Sequence, residues 1–160
     1  MPKRPWNRVN LPVYSISSSD GKGHHNMHII TYATQISMQP KRFVCGIFHE
    51  TQTLANIQQY PFFVLQLLSA HQYRLIDLLG KKSGKNTDKI ARLEKRKLLT
   101  QWKTYLVLKE ALAVIELKVI NSFEGGDHAG YVCEVTDYKN LCEGPPLTLD
   151  ILRQHKMIRI

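Results

Sequence analysis

The residue pattern predicts a mainly β domain, in which one mostly antiparallel sheet closes into a β-barrel with short helices at its periphery. Three observations lead to this class. At least five segments read as strands, several of them joined by hairpin-type turns. The helical patterns that interrupt them are short. Phe62-Phe63-Val64-Leu65-Gln66-Leu67-Leu68 is apolar almost throughout, which suits a strand covered on both faces. An open sheet would leave one of those faces wet, so this run argues for closure.

The elements follow in order. An arm containing Pro2, Pro5 and Pro12 is expected to be extended. Val13-Tyr14-Ser15-Ile16-Ser17 alternates as a strand and ends at Ser18-Ser19-Asp20-Gly21-Lys22-Gly23, where Asp-Gly between strand patterns predicts a hairpin. The returning strand spans 26–38, antiparallel to the first and closed by Pro40, and 42–48 forms the next. Thr51 caps a short helix that runs to Ile57 and ends before Pro61. Ser69 with Gln72 three positions on has capping-box spacing. The helix it opens has Tyr73, Ile76 and Leu79 on its apolar face and Gly80 as its stop. A basic loop over 81–87 leads to a third helix from about Asp88, with Ile90, Leu93 and Leu98 on one side. From Ala113 the period changes: Ile115, Leu117 and Val119 oppose Glu116 and Lys118, as in a half-buried strand. A turn at Glu124-Gly125-Gly126-Asp127-His128, a strand over 131–137 and a short helix over 147–155 complete the chain.

The 160 residues suffice for one domain, 1–160, with an adequate core. No apolar run approaches the roughly 20 residues of a membrane helix, and 6–10 is too polar for a signal peptide, so a cytoplasmic protein is expected. Three cysteines without close pairing fit a reducing compartment, with Cys45 and Cys133 in apolar strand-like runs and Cys142 in a loop. His24-His25-x-x-His28 has no second ligand cluster, so no metal is expected. Much of the formal charge of +9 lies between Lys81 and Lys97. Such a cluster attracts phosphate in a nucleotide, a nucleic acid or a membrane surface. We assign Lys81, Lys82 and Lys85 to phosphate and Arg92 to Lys97 to solvent. A basic β-barrel that binds nucleic acid is the alternative from another class, but no aromatic residues are interleaved with the cluster as base stacking requires.

Three patches carry candidate chemistry. Along 26–40, Asn26 and Thr34 share one strand face with Ile30, Ile36 and Met38, while Thr31, Gln35 and Ser37 share the other with Met27, Ile29 and Ala33. Short polar side chains on both faces suit a strand that must hydrogen-bond something, or an ordinary sheet strand. Thr51 and Thr53 at a helix start, with the Lys81-Lys82-Ser83-Gly84-Lys85 loop, suit an anion or simple capping. The loop lacks the spacing of a P-loop. Gly126-Asp127-His128 reads as a tight turn whose histidine could also serve a site.

In order, Asn26…Ile36-Ser37-Met38-Gln39-Pro40, Thr53-Leu54-Ala55-Asn56-Ile57, Phe63-Val64-Leu65-Gln66-Leu67-Leu68-Ser69, Ser83-Gly84-Lys85-Asn86-Thr87-Asp88-Lys89 and Gly126-Asp127-His128 resemble the motif set of the flavin reductase-like family. That family has a Greek-key, FMN-binding split β-barrel. The resemblance covers about 10–140 and leaves 141–160 as a C-terminal extension. Ile29 and Gln35 depart from it, since hydroxyl residues are frequent at both positions. It implies a homodimeric flavoprotein with FMN or FAD as cofactor and NAD(P)H as co-substrate, which reduces FMN, or an acceptor through bound FMN. An FMN-binding electron carrier without a nicotinamide site is the alternative within the fold. The resemblance places the flavin ring against the backbone of 32–37, that is Tyr32, Ala33, Thr34, Gln35 and Ser37, on a strand that Asn26 leads and Pro40 ends. Thr31, Thr51 or Thr53, with Lys81, Lys82, Ser83 and Lys85, would serve the phosphate. His128 would border the nicotinamide pocket, and 95–110, with Trp102, Tyr105 and Leu106, would contribute to the dimer.

Overall fold

The computed structural model describes residues 3–159, so Pro2 lies outside the described residues. The strands are β1 (Tyr14–Ser19), β2 (His25–Ile30), β3 (Ala33–Ser37), β4 (Arg42–Phe48), β5 (Phe62–Leu67), β6 (Leu99–Trp102), β7 (Tyr105–Leu108), β8 (Ala113–Glu124) and β9 (His128–Asn140). The α-helices are short: α1 (Gln52–Gln59), α2 (Ile76–Lys81), α3 (Lys89–Lys95) and α4 (Leu149–Gln154). Seven strands form one antiparallel sheet in the order β2-β1-β5-β8-β9-β4-β3, and β6 and β7 form a separate hairpin.

Local signals explain the turns and caps. Asp20 Oδ1 accepts from the backbone N–H groups of Lys22 and His24, and Gly21 takes the left-handed φ of 82° in the β1–β2 turn. Thr51 Oγ1 accepts from Leu54 N at 3.1 Å and starts α1. The capping box at Ser69 and Gln72 is formed, but it opens a 3₁₀ turn (Ala70–Leu75) that only then becomes α2.

The sheet is not closed into the expected barrel. Its edges are β2 and β3, and no ladder joins them. They are nevertheless consecutive in the chain, separated by Thr31 and Tyr32, so the Cα atoms of Ile30 and Ala33 are at most about 11 Å apart. The sheet therefore curls until its two edges meet at a two-residue corner. The strand expected over 26–38 breaks at that corner. The reason is a long-range contact: the Tyr32 carbonyl accepts from Gly46 N at 2.7 Å, and a side chain on Gly46 would meet Tyr32 Cβ at 3.3 Å. α2 and α3 pack against β2 through the Met27 and Ile29 side chains.

The curl encloses one core, with Ile16, Ile47, Phe63, Leu65, Leu117 and Cys133 at its centre. Burial pushes the Cys133 thiol up to about 12, as befits an inert packing group. A second core holds α2, α3 and α4 against the sheet through Leu78, Leu79, Leu93, Leu147 and Leu152.

The apolar run on β5 is buried on both faces, but closure is not the cause. Phe63 and Leu65 point into the curl, while Val64 lies with Tyr105, Val107 and Val114 under the β6–β7 hairpin. That hairpin follows α3, which ends at Lys95, so Leu98 does not lie on the third helix as expected. Tyr105 is 1% exposed and donates to Glu116 Oε2 at 2.8 Å, and the Leu106 carbonyl accepts from Ser17 Oγ at 2.6 Å. Its turn carries no glycine; Lys103 takes the positive φ of 56° instead, so the usual hairpin signal is missing.

Candidate functional site

The corner between β2 and β3 leaves a cleft bounded by the end of β4, the start of α1, the start of β9 and the loop after α2. Two cavities form it, of about 300 and 310 Å³, and they share His28, Ile29, Phe48, Thr51 and Gly80. One end is apolar and aromatic, the other basic. Beyond the basic end a larger space of about 790 Å³ continues past Asn26, Gln52, Gly84 and Lys89 toward Asp20 and Lys85.

At the aromatic end, His128 stands between Tyr32 and Phe48, with ring centroids 5.0 and 5.5 Å away. These side chains lie on the outer face of the sheet. Gly46 and Gly130 are paired there and carry no side chain, so Tyr32 lies close over Gly46 and Phe123 over Gly130. His128 Nδ1 is 2.6 Å from Asp127 Oδ1, and that bond holds the Asp127 carboxyl below the usual range.

At the basic end, Lys81, Lys82, Ser83 and Gly84 curve over the cleft. Lys81 also pairs with Asp77 on its own helix at 2.8 Å. Gly84 presses against β2: a Cβ at this position would come 2.2 Å from Asn26 Oδ1. Lys89, assigned by its charge run to no site, is only 3% exposed and donates from Nζ to the Leu79 carbonyl at 3.1 Å. Burial brings its ammonium down to about 8.

The structure brings some of the expected residues together and separates others. Asn26, Thr31, Tyr32, Thr51, Lys81, Lys82, Ser83 and His128 line the two cavities, and Lys85 lines the larger space. Thr51 Oγ1 is engaged in capping and in donating to the Phe48 carbonyl at 2.9 Å. Thr53 is fully buried behind the wall, bonded to Asn26 and His28. Ala33, Thr34, Gln35, Ser37 and Pro40 line neither cavity, because β3 turns away to the other edge of the sheet. Gln35 instead accepts from Lys41.

The wall residues outside the expected set include His28, Phe48 and Lys89. Lys89 ends the Ser-Gly-x-x-x-Asp-Lys segment, which was a signal for it. His28 belongs to a His-His-x-x-His run and Phe48 ends the 42–48 strand pattern, and neither pattern signals a cleft wall.

An aromatic, largely apolar end joined to a cationic end, with polar groups between, matches a planar heterocycle that carries a phosphate. The glycine at 84 matters to that shape, since a side chain there would push the basic loop off Asn26. A flavin nucleotide fits this donor set. The family model described as "Flavin reductase like domain" matches residues 6–152. The chain belongs to that family.

One curated protein is similar to this chain in sequence, and solved structures share its architecture. The high molecular weight rubredoxin of Moorella thermoacetica is 26% identical over 157 residues, which is 98% of this chain and 67% of that protein. The structure of flavin reductase PheA2 in its native state superposes with a TM-score of 0.73 at 25% identity, covering 92% of this chain and 93% of that one. The NADH:FAD oxidoreductase SgcE6 of Streptomyces globisporus superposes with a TM-score of 0.79 at 14% identity, covering 91% and 84%. At that identity the likeness speaks for the fold alone. No helix among the described residues is long and apolar enough to cross a membrane.

Proposed function

We propose that this chain is a flavin-binding oxidoreductase that takes electrons from NAD(P)H and passes them to FMN, or to an acceptor through bound FMN. The observation that carries the reading is the two-ended cleft, aromatic at Tyr32, Phe48 and His128 and cationic at Lys81, Lys82 and Lys89. A bound flavin would supply the redox chemistry. The chain's own residues bind and orient. Lys82 and Lys89 offer positive charge to a phosphate, and the Tyr32 and Phe48 rings offer flat apolar surface to a heterocycle. Asp127 holds the His128 ring at the cleft's mouth. There His128 can present its other ring nitrogen to a second nucleotide.

The experiment is direct. Purified protein is mixed with FMN or FAD, and the bound fraction is reduced anaerobically with NADH or NADPH while the flavin absorbance is followed. We expect saturable binding and bleaching by at least one nicotinamide. Protein that binds neither flavin would overturn the reading. A second reading, an FMN-binding electron carrier without a nicotinamide site, draws on the likeness to a protein named a rubredoxin rather than a reductase. Binding without bleaching would select it.

The homodimer that the resemblance implies would bury the outer aromatic face rather than the β6–β7 hairpin. Tyr32, Phe48 and Phe123 are 61, 40 and 50% exposed there; Tyr32 and Phe48 border the cleft beside His128, and Phe123 lies over Gly130.

A further inference from the structure

His28 lines both cavities, at the waist where the aromatic and basic ends meet. Its backbone is fixed, since its carbonyl accepts from Ser15 Oγ on β1 at 3.0 Å. Its ring is fixed too, with Nδ1 2.8 Å from Thr53 Oγ1. Thr53 is fully buried on α1, and the same oxygen accepts from Asn26 Nδ2 at 3.1 Å. A hydroxyl has a single proton to donate. The oxygen could accept from both neighbours, but Thr53 is fully buried and His28 Nδ1 is the one acceptor in reach of its proton among the described residues, so the Thr53 proton goes to His28 Nδ1.

Nδ1 is therefore the acceptor, and a neutral ring in that state carries its proton on Nε2. The ring is neutral because burial, the Lys89 charge and the His128 charge, in that order, bring it down to about 3. Among the described residues Nε2 has no partner in the chain, and it is not one of the buried unpaired atoms, so it opens onto the cleft.

We propose that His28 is a flavin-binding residue whose Nε2–H donates to the chain linking the flavin ring to its phosphate, and that Thr53 and Asn26 are positioning residues that hold this tautomer. The inference rests on the flavin reading above and deepens it. The waist lies between the ring-sized end and the cationic end, so the ligand atoms passing it are hydroxyl and phosphoester oxygens, all of them acceptors. A neutral donor suits them, because it adds no charge beside Lys89.

The test uses the full-length chain labelled with ¹⁵N, and FMN as the probe. Long-range ¹H–¹⁵N correlation on the flavin-free protein should show His28 as the Nε2–H tautomer, and saturation with FMN should shift that nitrogen. Thr53→Val should mix the tautomers without unfolding the chain. His28→Phe should weaken FMN binding roughly five- to tenfold, and His28→Gln, which keeps a side-chain N–H, should recover most of the loss. An Nδ1–H tautomer in the wild type, His28 signals unmoved by bound FMN, or a folded His28→Phe with unchanged affinity would overturn the inference and leave the flavin reading standing. Wild-type protein that binds no flavin overturns both. The spectra of the wild type decide the matter even where a variant fails to fold.

Discussion

Lys89 is where charge and burial oppose each other most directly. Its ammonium lies inside the wall with one carbonyl partner, and its folded pKa of about 8 stands below the 10.5 of a free lysine. Between those values the unfolded chain binds more protons than the folded one, so stability from this group rises as pH rises from about 8 toward 10.5. Below pH 8 the buried charge is a constant cost. Lys89→Met should remove this slope, so that the stability gap between wild type and variant changes by about 1–3 kcal/mol between pH 7.5 and 10 in urea titrations. Parallel pH profiles would show that the amine is solvated. Affinity for FMN should move the other way in the wild type, weakening above pH 8 as the positive charge in the wall fades. The charge pattern around Lys89 reads as a solvated face, because nothing between Asp88 and Lys97 announces which cation will be covered. Its burial is decided by α2, whose Leu79 carbonyl lies 10 residues back, and by β2, which is distant in sequence.

At the level of the element, the β6–β7 hairpin determines what β5 can be. Gln66 is fully buried between them: its Nε2 donates to Ser15 Oγ at 3.3 Å, and its Oε1 accepts from Leu108 N at 2.7 Å. One amide thus ties β1, β5 and β7 together. Gln66→Leu preserves size but leaves the Leu108 N–H buried without an acceptor, which should cost about 1–3 kcal/mol in chemical denaturation. A neutral substitution would mean that water reaches this group. The interruption of the apolar run on β5 by a glutamine is visible in the sequence, but its partner lies 42 residues away. The helices are legible in a different way. Thr51 and the Ser69–Gln72 pair act over three residues, so the caps are read correctly even where a 3₁₀ turn replaces the first part of a helix.

The whole molecule is a sheet curled so that its edges meet at Thr31 and Tyr32 without pairing. That gap is what makes room for the cleft. The outer face beside it is aromatic, with the Phe123 ring lying over Gly130, where a Cβ would come 2.2 Å from Cζ. If this face is the dimer contact, wild-type protein sediments as a dimer at micromolar concentration, and Phe123→Lys halves the sedimenting mass. A wild-type monomer would remove the dimer from the proposal. A dimeric Phe123→Lys would place the contact elsewhere.

The sequence by itself determined the strands and turns apart from the β6–β7 hairpin and the break between β2 and β3, the helix caps, the inert Cys45 and Cys133, and the order of motifs that points to the family. These depend on alternation, capping and turn chemistry among residues close in the chain. Only the tertiary structure decided that β2 and β3 are separate edges, that Thr53 lies behind the wall, and that His28 and Lys89 belong to it. Each of these follows from contacts across long separations, such as Gly46 with Tyr32 or Asn26 with Gly84. A side chain's exposure is set by what folds against it, and no local pattern along the chain encodes that.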